Sequence, residues 1–220
     1  NPDFNGADSF TFTVSDGTAT SAAATASITV NPVNDAPVTA GLTVTTDEDT
    51  PVLVTLPGSD VDGDALTYAI VTVPANGTLS GTGPDQTYTP NADCNGTDSF
   101  TFKASDGQAD SNSATVAVAI APVNDPPAAA GDAASVNEDG SVTINVLAND
   151  TDEDGDTLIL TSAGPASHGS TVISGGGVIY TPQADYNGID SFSYQIEDDH
   201  GGSSSGSVTV TIQPVNDPPV

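Results

Sequence analysis

Several things are scarce in this sequence. Tryptophan and methionine are absent, cysteine occurs once, and lysine and arginine together number 1. The lone Cys94 excludes an intrachain disulfide. The lone base, Lys103, stands against 30 acidic residues, for a net charge of -29. Such a chain repels DNA, RNA and anionic lipid, because binding to them needs lysine and arginine. It attracts cations instead, and self-repulsion of this size destabilises a compact state unless counter-ions neutralise it. No run of 18 apolar residues occurs, which excludes a membrane-spanning helix. The chain does not start with methionine and shows no signal peptide, so it reads as an excerpt or a processed piece of something longer.

What is present is repetition. Residues 1–17, NPDFNGADSFTFTVSDG, return as NADCNGTDSFTFKASDG at 91–107 and as QADYNGIDSFSYQIEDD at 183–199. All three continue without a gap to VNDAPV, VNDPPA and VNDPPV at 33–38, 123–128 and 215–220. The front of the unit occurs twice, at 45–68 and 135–160, the second copy being longer by two residues. The domain reading is a partial repeat at 1–35, expected to hold strands E to G, and complete repeats at 36–125 and 126–217.

Thr, Val, Ala, Ser and Gly dominate, a palette of strands and turns. Apolar residues recur with period 2 and prolines interrupt too often for helices. Strand-like segments every 8–12 residues predict an all-β fold of tandem Greek-key, seven-strand sandwiches of cadherin or immunoglobulin type, in an elongated array. In the second repeat the strands are expected at 39–45, 51–56, 65–72, 78–80, 86–89, 98–104 and 114–120. Phe100, Phe102, Val116, Val118 and Ile120 face inward, as do Phe192, Tyr194, Ile196, Val208, Val210 and Ile212.

A sandwich of this kind has two poles, and the acids gather there. The A–B loop holds Glu48, repeated as Glu138. The E–F loop holds Asp93 and Asp98, repeated as Asp185 and Asp190; Asp3 and Asp8 match them in the partial repeat. All belong to the C-terminal pole. The B–C loop holds Asp60, Asp62 and Asp64, repeated as Asp152, Asp154 and Asp156, and the F–G loop holds Asp106, repeated as Asp198. These belong to the N-terminal pole. Where one repeat follows another, a linker pair runs between: Asn34-Asp35, Asn124-Asp125 and Asn216-Asp217. So many carboxylates a few Å apart repel one another. One lysine cannot neutralise them, but Ca2+, which takes six to eight hard oxygen ligands in flexible geometry, can. Magnesium fits less well, and zinc favours His or Cys, of which only His168, His200 and Cys94 exist. The D-x-D-G-D string is not an EF-hand, since its glycine stands at the fourth position and no Glu stands at the twelfth.

The strings T-x-E-D-T/G-x-V, N-D-x-D-x-D-G-D-x-L, Y-T-P-x-A-D-x-N-G-x-D-S-F and P-V-N-D-x-P run over the whole chain. Together they resemble the tandem cadherin-like repeats (tandem-95 or VCBS type) of large bacterial surface adhesins. The resemblance implies extracellular exposure, a repetitive stalk and adhesion. It also implies a cadherin-like calcium layout, with Glu48, Asn124-Asp125, Asp152, Asp154 and Asp198 as ligands. The linker is shorter than that of cadherins, and their Asp-Arg-Glu ligand loop is absent.

No Ser-His-Asp set or metal triad recurs. The paired carboxylates, which in a glycosidase would do acid–base work, repeat once per unit as structural sites do. The expected function is therefore a non-enzymatic extracellular stalk rigidified by calcium between domains. A carbohydrate- or protein-binding module is the alternative, although few aromatics are left for a binding face. A third reading is a filament subunit whose partial repeat is completed by strands of a neighbouring chain. Expected partners are calcium ions, neighbouring repeats or subunits, and a surface glycan or protein receptor, with neither nucleic acid nor direct membrane insertion.

Overall fold

Alternating Thr-Phe and Ala-Val strings pair as strands from the start of the chain. The computed structural model describes residues 3–216. It separates into two units, 1–122 and 123–220. Among the described residues there are only strands, turns and loops, and no helix is long and apolar enough to cross a membrane.

The first unit opens with β1 (Gly6–Phe12) and β2 (Ala24–Val30), an antiparallel pair. The complete repeat behind it has β3 (Val38–Thr39), β4 (Leu42–Asp47), β5 (Val52–Thr55), β6 (Gly58–Ser59), β7 (Thr67–Thr72), β8 (Gly77–Thr82), β9 (Asp85–Pro90), β10 (Gly96–Ser105) and β11 (Ala114–Ala121). One sheet runs β4-β11-β10-β7 and the facing sheet β5-β9-β8, with β3 and β6 as a short extra pair. The second unit repeats this plan with β12 (Asp132–Asn137), β13 (Val142–Ile144), β14 (Ile159–Ala163), β15 (Gly169–Ser174), β16 (Gly177–Pro182), β17 (Gly188–Glu197) and β18 (Ser203–Gln213). Its sheets are β12-β18-β17-β14 and β13-β16-β15. In both, the first strand of the four-stranded sheet lies parallel to the last, and the last pairs antiparallel with the strand before it. These are two tandem seven-strand sandwiches of the Ig and cadherin kind, as the spacing predicts.

Period-2 patterning decides the cores. Phe100, Phe102, Val116, Val118 and Ile120 are buried with Val54 and Tyr88 of the other sheet and with Leu56 just beyond β5. Phe192, Tyr194, Ile196, Val208, Val210 and Ile212 are buried with Val146, Val178 and Tyr180. Each large side chain so buried contributes roughly 1.5–3 kcal/mol.

One expectation is corrected. Among the described residues the partial repeat holds counterparts of the last two strands only. With an offset of 90 positions, a counterpart of β9 at Asp85–Pro90 would precede residue 1. Asp217, expected as a ligand in the last linker pair, lies outside the described residues.

Candidate metal centres

The B–C loop of the second repeat starts where β6 ends. It turns tightly through Gly63, at φ 81°, as its counterpart does through Gly155, at φ 78°. That turn folds alternate aspartates to one side. Asp60, Asp62 and Asp64 each offer an oxygen within 4.8 Å of the others, and so do Asp152, Asp154 and Asp156. Asp60 Oδ1 closes the loop by accepting the N–H of Asp62 at 2.8 Å and of Asp64 at 3.4 Å. Asp152 Oδ1 accepts the N–H of Asp156 at 3.1 Å. The other oxygens, Asp60 Oδ2 and Asp152 Oδ2, are buried without a hydrogen-bond partner. A buried, unmatched carboxylate oxygen is costly. The same orphan oxygen occurs at the matching position of both repeats.

The linker pair docks onto this loop in the same way each time. Asp35 N–H donates to Asp62 Oδ2 at 2.8 Å, and Asp125 N–H donates to Asp154 Oδ2 at 2.8 Å. Asn34 Nδ2 donates to Asp106 Oδ2 at 2.9 Å, and Asn124 Nδ2 donates to Asp198 Oδ2 at 3.1 Å. Gln108 Nε2 adds a bond to Asn34 Oδ1 at 2.9 Å. Gly202 permits the approach in the second unit, since a Cβ there would come within 2.8 Å of Pro126 Cα.

The F–G aspartate divides its work between its two oxygens. Asp106 Oδ1 accepts the N–H groups of Gln108 and Ala109, both at 2.6 Å, and leaves Oδ2 to the linker. Asp16, in the partial repeat, makes the same turn through Oδ1 to Thr18 and Ala19. The N–H groups of Ala19 and Thr18 bring its carboxyl down to about 2. The Ala109 N–H, the Asn34 amide and the Gln108 N–H hold Asp106 below the usual carboxylate range. Burial pushes Asp198 up, but bonds from Asn124, His200 N–H and Gly202 N–H leave it below that range too. Turn closure is thus the primary role of this aspartate. With three of about four lone pairs used, one remains for a ligand.

In the first unit a cavity of about 240 Å³ is lined by Asp3, Asn5, Asp35 and Asp62 among others. Asp3 reaches it from a left-handed turn, at φ 59°, a conformation aspartate tolerates better than most residues. Asp93 and Asp185, its counterparts, share the conformation at φ 53° and 57°. Asp93 N–H donates to Asp49 Oδ1 at 3.3 Å, which joins the E–F loop to the A–B loop.

Glu48 and Glu138 are buried, at 2% and 5% exposure. Glu138 gathers three segments at the C-terminal pole. Its Oε1 accepts Val215 N–H at 2.6 Å, and its Oε2 accepts Asn187 Nδ2 at 3.3 Å. Val215 precedes Asn216, and Asn187 follows Asp185 and Tyr186, so linker, A–B loop and E–F loop meet there. Asn187 was legible only as a turn residue, since nothing in an Asn-Gly pair announces a carboxylate 49 positions away.

Two expected ligands are corrected. Asp190 is buried and its oxygens are saturated. Oδ1 accepts the N–H groups of Ser167 and Ser191, and Oδ2 accepts His168 N–H at 2.8 Å and Tyr180 O–H at 2.7 Å. Asp98 repeats this with Ala75, Ser99, Asn76 and Tyr88. These aspartates clasp the C–D loop to the core tyrosine and have no lone pair left for an ion. Asp8, at the same position, lies exposed in β1, and among the described residues its carboxylate accepts only the N–H of Ser9. His200, exposed on the F–G loop, meets Asp156 Oδ2 through Nδ1 at 2.7 Å.

The profile of the bacterial Ig domain family matches residues 1–29, 34–119 and 124–211. No curated protein matches the sequence. Among solved structures, human CDH23 EC21-23 has a TM-score of 0.52 at 16% identity, with 81% of this chain and 70% of that chain covered. Mouse clustered PcdhgC3 EC1-3 gives 0.49 at 16% identity, over 96% of this chain and 77% of that one. An endo-fucoidan hydrolase of glycoside hydrolase family 107 gives 0.36 at 19% identity, over 95% of this chain. This chain spans 34% of the length of that hydrolase. At these identities the CDH23 likeness shows the fold alone. The three profile matches, one on each repeat segment, show that the chain belongs to the bacterial Ig domain family.

Proposed function

We propose that this chain is a segment of an extracellular adhesin or surface fibre whose linkers bind calcium and stiffen it. The observation that carries the reading is the buried, unpartnered Oδ2 of Asp60 and of Asp152, each beside two further aspartates and a docked Asn-Asp linker. The donors are carboxylate, amide and carbonyl oxygens, the set that calcium prefers. At the first linker Asp60, Asp62, Asp64 and Asp35 would hold the ion, with Asp3 completing the set. At the next, Asp152, Asp154, Asp156 and Asp125 take the same roles. Glu48 and Asp93 form a half-site at the C-terminal pole of the second repeat, as Glu138, Asp185 and Asn216 do in the third.

The stalk reading is favoured over direct glycan or protein recognition because the aromatics of the complete repeats serve the cores. Tyr88, Tyr180, Tyr194, Phe100 and Phe102 are all fully buried. Calorimetric titration of the full chain tests the assignment. Asp62→Asn and Asp154→Asn should each remove a binding event, while Asp85→Asn, whose carboxylate accepts Thr55 Oγ1, leaves binding intact. Equal affinities across the three variants would undo it.

A second reading rests on β1 and β2, whose Phe10 and Phe12 are exposed where Phe100 and Phe102 are covered. Strands from a neighbouring copy would cover that face and build a filament. Light scattering of the full chain over a range of concentrations tests it: a constant monomer mass removes the reading.

A further inference from the structure

Each complete repeat joins its first long strand to its last, and the two run parallel. β4 pairs with β11 from Leu42↔Val116 to Asp47↔Ala121, and β12 pairs with β18 from Asp132↔Val208 to Asn137↔Gln213. One further backbone bond extends each ladder, Glu48 N–H to Ala121 O at 2.9 Å and Glu138 N–H to Gln213 O at 3.0 Å. A pull along the chain enters the second repeat ahead of Leu42 and leaves it after Ala121. These points lie at opposite ends of one ladder, so the strands are drawn past each other along their length. The rungs of a parallel pair are evenly spaced, and in this geometry all of them carry load together. The pair β1-β2 is the internal contrast. Its outer ends, Gly6 and Val30, are register partners. A pull on them loads one rung at a time, and the ladder opens like a zipper.

The two ladders match in register but not at the head. In the second repeat Asn112, just ahead of β11, ties β3 to the last strand. Its Oδ1 accepts Thr39 N–H at 3.1 Å, its Nδ2 donates to Thr39 O at 2.9 Å, and its backbone carbonyl accepts Thr39 Oγ1 at 2.7 Å. Thr39 is buried, at 5% exposure. The two amide bonds copy a pair of backbone rungs and add them where the pull enters. In the third repeat the matching residues are Ala129 and Ser204. Among the described residues one bond joins them, Ala129 N–H to Ser204 Oγ at 3.4 Å. The neighbouring bonds, Ala130 N–H to Asp150 Oδ1 and Asn149 Nδ2 to Gly131 O, run to the segment after β13 and not to β18.

We propose that the two complete repeats are tension clamps, opened in shear by a pull along the chain, and that Asn112 locks the head of the clamp in the second repeat where the third has only Ser204. The proposal takes from the stalk reading above only that the chain is held at both ends. Forced unfolding is governed by the unfolding rate and not by equilibrium stability. In shear the strands part only when the rungs fail together, so each rung added to the ladder raises the barrier. The side-chain bonds of Asn112 lie on the loaded line and add to it. The facing sheet β5-β9-β8 lies off that line, and its packing is released after the ladder has failed. Interactions still intact at the barrier have little effect on the unfolding rate.

Single-molecule force measurement on the full chain tests it, in chelator so that no ion contributes. Held by its two ends, the chain should rupture twice at high force, releasing 42–121 and 132–213, and β1-β2 should open without a comparable peak. Ala40→Cys and Ser113→Cys, in a Cys94→Ser background, place handles on exposed residues just ahead of β4 and β11. A pull on those handles peels the ladder from one end, and the second repeat should then rupture at clearly lower force. Asn112→Ser, which installs the residue of the third repeat, should speed end-to-end rupture of the second repeat about tenfold at fixed force. Leu79→Ala, in the facing sheet, should lower the urea midpoint and change rupture far less. Equal forces in the two pulling directions overturn the proposal. So does an Asn112→Ser chain that ruptures as the parent does, or a Leu79→Ala effect on rupture as large as that of Asn112→Ser. Calcium plays no part in these forces, so a failed titration would remove the ion-stiffened stalk and leave the clamp standing.

Discussion

The strand β1 nearly repeats the sequence of the first part of β10, and each pairs with the strand that follows it in the same register. Asp8 pairs with Ile28 and Phe10 with Ala26, as Asp98 pairs with Val118 and Phe100 with Val116. Their burial is opposite. Phe10 and Phe12 are 56% and 46% exposed, while Phe100 and Phe102 are 0% exposed. Strand pairing is therefore a local property of this repeat, and the core is not. The core needs the facing sheet β5-β9-β8, which supplies Val54, Tyr88 and Leu79. The same contrast separates Asp8 from Asp98. With the C–D loop and Tyr88 in place, the aspartate becomes a clasp; without them it is a surface charge.

The largest effect that could break this comparison comes from the aromatic pair. Phe102→Ala should destabilise the second repeat by about 3–5 kcal/mol, whereas Phe12→Ala should fall within about 0.5 kcal/mol. Urea denaturation followed by hydrogen exchange at Val116 measures both. Equal effects would mean that β1-β2 already has a core. Next comes the clasp. Asp190→Asn replaces a carboxylate that accepts four hydrogen bonds and should cost about 3 kcal/mol, while Asp8→Asn should be near neutral.

The clasp also predicts an acid transition. Burial pushes the Asp190 carboxyl up, but bonds from Tyr180, His168, Ser191 and Ser167 outweigh it and hold the group below the usual range. A carboxyl lowered on folding contributes stability above its ordinary value and loses it as pH falls through the folded value. Thermal unfolding between neutral and strongly acidic pH should show that loss in the parent chain and a smaller one in Asp190→Asn. A parallel pair of curves would contradict it. The smallest effect is at Lys103, which meets Asp110 at 2.5 Å with both side chains exposed. Lys103→Ala should leave the melting temperature unchanged within error, because exposed ion pairs contribute little.

The alternating strands and inward faces were legible because period-2 patterning is local. The meeting of Asn34 with Asp106 and of Asp125 with Asp154 was also legible, since repeat spacing and strand direction assign each loop to a pole. The clasp was not. Whether Asp98 is a ligand or a structural acceptor depends on the N–H groups of Ala75 and Asn76 and on the Tyr88 hydroxyl, none of which carries a mark in sequence. Composition reported 30 acids, but only the structure shows which oxygens are already spoken for.

A crystal of the full chain grown in calcium, with anomalous data, bears most directly on the central claim. The account predicts an anomalous peak in contact with Asp60 Oδ2 and Asp62, and another with Asp152 Oδ2 and Asp154, with oxygen distances of about 2.4 Å. Water alone beside those oxygens at saturating calcium would contradict it.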